Sequence, residues 1–229
     1  MSSTHEFERS YWTEDSQYRK FDGFEAAVGQ LERWYAGFIR LIEPHLPPAG
    51  SRVVDAGCGH GAIVRMLKTR GLDAVGFDAS RWIVEQAQAS MPDGAQTFAV
   101  GDVADVPFAG DFDLIVCLEV LEHLDDPVTA LAALAGRLRP GGRLIASTPN
   151  LRPLMPWWDP LTSDPTHVSV HEPAWWREAV RRGGLEPEHV GTFLAVPLLW
   201  HLGPAWSCWV PTGGRAGPGV LIVARRPDA

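Results

Sequence analysis

The stretch Val53-Val54-Asp55-Ala56-Gly57-Cys58-Gly59-His60-Gly61 constrains this chain most, because an apolar run delivers an acid into a turn crowded with glycines. Glycine admits positive φ and, lacking a Cβ, lets a ligand lie against the backbone, while the first turn of a following helix leaves N–H groups unpaired. The pattern predicts a strand, a cofactor-binding turn and a helix. Gly57, Gly59 and Ala62 satisfy the dinucleotide spacing G-x-G-x-x-G/A on paper. Asp55 argues against that reading. A pyrophosphate at the helix N-terminus would meet the charge of an acid placed two residues before the first glycine, whereas a ligand with a positive group would be favoured.

At 229 residues, 45% of them hydrophobic, the chain supports one substantial core rather than two. One domain is expected, with a helical cap over 1–50, a cofactor-binding core over 51–150, and an acceptor-site loop, last helix and final strands over 151–229. The net charge of −8 disfavours a surface that tracks phosphates, so no nucleic-acid partner is expected despite the local cluster Arg177, Arg181 and Arg182. No secretory signal or membrane span is visible, which predicts a soluble, cytoplasmic protein without integral membrane association. Three cysteines without C-x-x-C spacing, Cys58, Cys117 and Cys208, suit a reducing compartment and form no metal motif. Cys58 reads as a small residue packed beneath the turn rather than as a nucleophile.

Apolar residues Leu31, Trp34, Tyr35, Phe38, Ile39 and Ile42 recur at three- and four-residue steps and predict a helix from about Phe24 to Ile42, ended by Pro44, Pro47 and Pro48. Beyond it, strands are expected over Arg52–Asp55, Asp73–Phe77, Thr97–Val100, Phe112–Leu118 and Arg143–Ser147, with helices near Ala62–Arg70, Arg81–Ser90 and Pro127–Leu138. Pro140-Gly141-Gly142 reads as the turn that closes the last of these helices and opens the fifth strand. A helix near Pro173–Arg182 and strands near His189–Val196 and Val220–Arg225 complete the chain. Regular alternation of strand and helix implies right-handed crossovers and a mostly parallel sheet, with ligands at the carboxyl ends of the strands.

Two further acids fall at such ends. Asp78 closes the second strand and can accept hydrogen bonds from ribose hydroxyls, a role shared by NAD and S-adenosylmethionine sites. Asp102 closes the third. The string Asp-x-Gly-x-Gly-x-Gly resembles motif I of the class I S-adenosylmethionine-dependent methyltransferases, whose cofactor carries a sulfonium and an ammonium and no phosphate. Phe112 to Pro127, containing Leu118-Glu119-Val120-Leu121-Glu122-His123, is similar to the post-strand motif of the ubiquinone-biosynthesis O-methyltransferase branch, so the resemblance covers about Arg52 to Asn150.

That resemblance implies a Rossmann-like α/β fold: a seven-stranded, mostly parallel sheet with an antiparallel last strand and helices on both faces. It implies S-adenosylmethionine as cofactor and S-adenosylhomocysteine as product, held by Asp55, Gly57, Cys58, Gly59 and Gly61 in the first turn. Asp78 and Ala79 would serve the ribose, Asp102 and Val103 the adenine, and Leu118 and Glu119 the methionyl portion. Within the branch, the E-x-x-E-H group has been associated with a divalent metal, here Glu119, Glu122 and His123. Two carboxylates and an imidazole can bind such a cation. The same residues can equally start and orient a helix, and no metal is the favoured reading.

The expected activity is methyl transfer to a small-molecule acceptor, chiefly to an oxygen of an aromatic or lipophilic metabolite in secondary or quinone-like biosynthesis. N-methylation is the alternative, followed by a non-catalytic S-adenosylmethionine-binding module or an NAD-dependent oxidoreductase. A hydroxyl acceptor gains from a general base. His167, in Asp164-Pro165-Thr166-His167, is the preferred candidate after the fifth strand, with His171 and His123 as alternatives. Of the ten tryptophans, Trp157, Trp158, Trp175, Trp176, Trp200, Trp206 and Trp209 follow the cofactor half and are expected to roof the acceptor site, with core packing or a homodimer interface accounting for some. The stretch Leu198 to Trp209 is read as a lid, a self-association surface or a membrane-touching element.

Overall fold

The computed structural model describes Trp12 and residues 23–151, 164–196, 208–212 and 217–228. At its centre β1 (Arg52–Ala56) pairs in parallel with β2 (Asp73–Asp78) and with β4 (Phe112–Leu118). β3 (Phe98–Val100) extends the sheet beyond β2, and β5 (Leu138–Pro149) beyond β4. β8 (Gly219–Arg225) inserts antiparallel between β5 and β6 (Glu186–Val196), the inversion that the resemblance implied.

Strands that are covered on both faces must be apolar at successive positions, and they are. On one face Val53, Leu114, Val116, Ile145 and Val223 meet α1 (Phe24–Ile42), α2 (Ala62–Lys68) and α3 (Arg81–Ala89). On the other, Val54, Ile115, Ala146 and Ile222 meet α5 (Pro127–Arg137) and α6 (Pro173–Arg182). A short α4 (Gly94–Thr97) precedes β3. From α1, Phe38, Ile39 and Ile42 are fully buried, and burying each side chain is worth about 1.5–3 kcal/mol. Its apolar stripe therefore builds one layer of the core.

The sheet has eight strands where seven were expected. The addition is β7 (Cys208–Thr212), antiparallel to β6 at the edge. Proline is tolerated in an edge strand, so Pro211 hides a strand in a segment whose sequence reads as loop. β5 also starts before the expected turn: Leu138 pairs with Phe112, residues 139–142 loop out with Gly141 at φ 73°, and pairing resumes at Arg143 and Leu114. Most of the stretch read as a lid, with Trp157, Trp158, Trp200 and Trp206, lies outside the described residues. No helix among the described residues is long and apolar enough to cross a membrane.

Candidate active site

β1 ends at Ala56, one residue past Asp55, and the chain then turns through Gly57, Gly59 and Gly61, at φ 79°, 47° and 77°, into α2. Side chains are excluded here by space as well as by conformation: a Cβ on Gly57 would stand 2.3 Å from Val120 Cγ2, and one on Gly61 2.6 Å from the Phe98 ring. The turn is braced by its neighbour β2. Gly57 and Cys58 N–H both donate to Phe77 O, at 2.8 and 2.9 Å, and Gly59 N–H donates to Asp78 Oδ2 at 3.0 Å. Asp78 Oδ1 accepts from Ser80 N–H at 2.9 Å. Each carboxylate oxygen has a second lone pair, so acceptor capacity remains for a ligand.

The cleft over this turn is lined by Asp55, Gly57, Cys58, Gly59, Leu118 and Glu119 from the strand ends, all of them expected. The lining is completed by Trp12, by Leu31 and Tyr35 of α1, and by His60, Ala62 and Ile63. None of those six was singled out as a site residue from sequence. The helical periodicity of Leu31 and Tyr35 marked an apolar stripe without telling core from cleft. Two buried carboxyls, Asp55 and Asp78, and no lysine or arginine among the lining residues make a site for a ligand with positive groups, and a poor one for a pyrophosphate. The residues thus fit S-adenosylmethionine.

Asp102 and Val103 stand beside Asp78, since Gly101 N–H donates to Asp78 O at 3.0 Å. Asp102 Oδ1 accepts from Ala104 N–H at 2.8 Å, closing a tight turn. Ala79 is exposed next to Asp78. Cys58 is buried, and burial with the charges of Asp78 and Asp55 pushes its thiol well up, which leaves it a packing group. Glu119 takes φ 53°, the one non-glycine residue with positive φ among those described. Its N–H donates to Ser147 O at 3.0 Å and its Oε1 accepts from Ser147 Oγ at 2.5 Å. Such a conformation persists only where its surroundings hold it, and it aims Glu119 at the cleft.

Behind Glu119 lies a second group. Potential ligand atoms of Glu122, His123 and His167 all fall within 4.8 Å of one another. Glu122 is fully buried, and burial reinforced by Glu119 raises its carboxyl well above the usual range. His123 Nδ1 lies 3.2 Å from Thr166 O and 3.0 Å from Thr166 Oγ1, while that hydroxyl donates to Asp164 Oδ1 at 2.6 Å. A carbonyl only accepts, so Nδ1 carries the hydrogen and Nε2 the lone pair. His167 Nε2 stands 4.0 Å from both Glu122 Oε1 and Asp164 Oδ2. The group fits a divalent cation on two imidazoles and one carboxylate, with His167 standing where the sequence placed Glu119.

His171 is stacked on Trp175, with ring centroids 3.6 Å apart, and its Nε2 lies 3.1 Å from Ser169 Oγ. It packs the start of α6. The described tryptophans also correct the roof: Trp176 is buried in the core, and Trp209 stacks on Phe193 at 4.8 Å and donates to Trp34 O at 3.1 Å. Among the described tryptophans, the cleft lining takes in Trp12.

A family model described as a methyltransferase domain matches residues 28–190. A ubiquinone biosynthesis O-methyltransferase of Xanthomonas axonopodis pv. citri is 36% identical over 119 residues, 50% of either chain, so the chain spans about half the length of the curated relatives it matches. Magnesium protoporphyrin IX methyltransferase of Synechocystis, solved with bound S-adenosylhomocysteine, superimposes with a TM-score of 0.63 at 21% identity, over 95% of this chain and 97% of that one. The [4+2]-cyclase SpnF gives 0.63 at 19%, over 90% and 83%. At such identities these structures show the fold alone, and the family match, which takes in the glycine turn, Asp78 and the Glu119 region, decides the rest: the chain belongs to the methyltransferase domain family, with S-adenosylmethionine as cofactor.

Proposed function

We propose that the chain transfers a methyl group from S-adenosylmethionine to an oxygen of a small aromatic or lipophilic acceptor. The observation that carries this is the cleft lining, in which Trp12, Leu31 and Tyr35 share the surface with Leu118 and Glu119. An apolar and aromatic surface that also carries the carboxyls of Asp55 and Glu119 receives a planar, uncharged molecule and can orient a polar group on it. When bound, the cofactor supplies an electrophilic methyl on a good leaving group. The protein's task is therefore mainly alignment, which can be worth an effective molarity of about 10⁵ to 10⁸ M.

His167 is assigned to take the hydroxyl proton, with the Asp164 carboxylate 4.0 Å from its Nε2 to stabilise the imidazolium that forms. The closeness of Glu122, His123 and His167, whose potential ligand atoms all lie within 4.8 Å of one another, favours a second reading of the same group. There Glu122, His123 and His167 would hold a divalent cation, which supplies Lewis-acid polarisation of the acceptor hydroxyl.

The test is incubation with S-adenosylmethionine and a panel of phenols, catechols, amines and carboxylic acids, read by mass spectrometry. A methyl-sized gain on a phenolic or catecholic oxygen is the expected result. Gain only on amines overturns the acceptor assignment, and calorimetric binding of NAD instead of S-adenosylmethionine overturns the cofactor.

A further inference from the structure

Trp12 lies well ahead of α1 in the sequence, yet it shares the cleft wall with Asp55, Gly59 and Glu119. Three neighbours meet the indole. Its Nε1–H donates to Ser80 Oγ at 3.2 Å, and its ring meets His60 edge to face with centroids 5.3 Å apart. The space in front of Gly59 ends on its six-membered ring, 3.4 Å from where a Cβ would stand. His60 is itself stacked on Phe24, the first residue of α1, at 5.2 Å.

Ser80 is a consequential partner. Its N–H donates to Asp78 Oδ1 at 2.9 Å, Gly59 N–H donates to Asp78 Oδ2 at 3.0 Å, and its hydroxyl caps α3 by accepting from Ile83 N–H at 3.5 Å. The indole therefore bridges the two loops whose amides hold the two oxygens of Asp78. Core packing alone does not require this, because Trp12 is only half-buried and forms part of the cleft surface.

We propose that Trp12 is a positioning residue for the cofactor, its indole closing the cleft over the glycine turn and pinning the Ser80 loop, so that a bound nucleoside leaves slowly. A rigid indole suits the task, since few rotors are fixed and its polar tip is satisfied by the protein, which leaves an apolar face to the ligand. The proposal rests on the reading of the cleft as the S-adenosylmethionine site.

The experiment follows dissociation of S-adenosylhomocysteine from the full chain by surface plasmon resonance, for wild type, Trp12→Phe and Trp12→Ala, with melting temperatures alongside. Dissociation about tenfold faster in Trp12→Ala, and at least twofold faster in Trp12→Phe, which keeps a ring and loses the donor, is the expected result. A merely structural role would lower the melting temperature and leave the dissociation rate of the folded protein unchanged. Rates within twofold of wild type in the folded variants overturn the proposal, and Trp12→Phe decides if Trp12→Ala does not fold. Wild type that binds neither S-adenosylhomocysteine nor S-adenosylmethionine would remove the cofactor reading itself, whereas binding with unchanged variants removes Trp12 alone.

Discussion

Asp55 and Asp78 are buried on adjacent parallel strands, and the charge of Asp78 acts on Asp55. Burial first, and Asp78 second, push Asp55 up to about 8, while burial raises Asp78 as well. Near pH 7 the free protein therefore holds Asp55 mainly protonated. A cationic ligand favours the carboxylate. Binding of S-adenosylmethionine is expected to release close to one proton, seen as a calorimetric enthalpy that changes with the ionisation enthalpy of the buffer. Asp55→Asn should abolish that dependence and weaken affinity modestly, because an acceptor oxygen remains. An enthalpy independent of buffer in the wild type would show that Asp55 does not sense the ligand.

Cofactor affinity should depend strongly on the braced turn. Asp78→Ala removes the acceptors and strands the Gly59 and Ser80 N–H groups, for an expected loss of about 1–3 kcal/mol. Gly59→Arg brings bulk and charge against Trp12 at a position with φ 47°. Both are measured by titration calorimetry after circular dichroism confirms folding, and unchanged affinity in the pair would refute the site.

His60 gives stability a defined pH dependence. Burial lowers it to about 4, so between roughly pH 6.5 and 4 the unfolded chain binds a proton that the native state refuses. Stability falls as pH drops through that window, by at most roughly 3.5 kcal/mol from this residue, at about 1.4 kcal/mol for each pH unit. Asp55 acts in the opposite sense, since a carboxyl raised in the native state adds stability as pH falls. The residue is isolated by comparing urea unfolding of wild type and His60→Phe: the advantage of wild type should shrink from pH 7 to pH 4.5. A constant difference would show that His60 is not buried neutral.

His167→Ala is expected to slow single-turnover methyl transfer to a phenol by about 10² to 10⁴-fold with cofactor affinity intact. His171→Ala should do far less, because His171 is stacked against Trp175. Loss below about tenfold for His167→Ala would leave alignment as the source of rate. Under this assignment, activity survives chelation and gel filtration. Activity that disappears and returns with Mg²⁺, Mn²⁺ or Zn²⁺ transfers Glu122, His123 and His167 to a cation instead.

Much of the scaffold was legible because local rules decide it. The α1 stripe, the run Phe112–Leu118 and α6 fall within the bounds that periodicity and prolines give, and Asp55 and Asp78 fall at the strand ends where a parallel sheet places ligands. What was hidden depends on distant contacts. No spacing brings His167 beside Glu122 and His123, since a long segment separates them. The positive φ of Glu119 is imposed by its neighbours and leaves no trace in composition. Tryptophan content pointed to aromatic walls but not to Trp12, because buried and cleft-facing indoles look alike in a sequence.

The position of Pro211 in β7 bears on how copies of this chain could meet. Opposite Phe193, it lies in a strand that, among the described residues, is paired only on its β6 side, with Val210 beside it 41% exposed. An apolar edge of that kind invites another strand to add on. Proline brings no N–H, so this edge offers fewer backbone donors to a second sheet, which disfavours continuous edge-to-edge assembly.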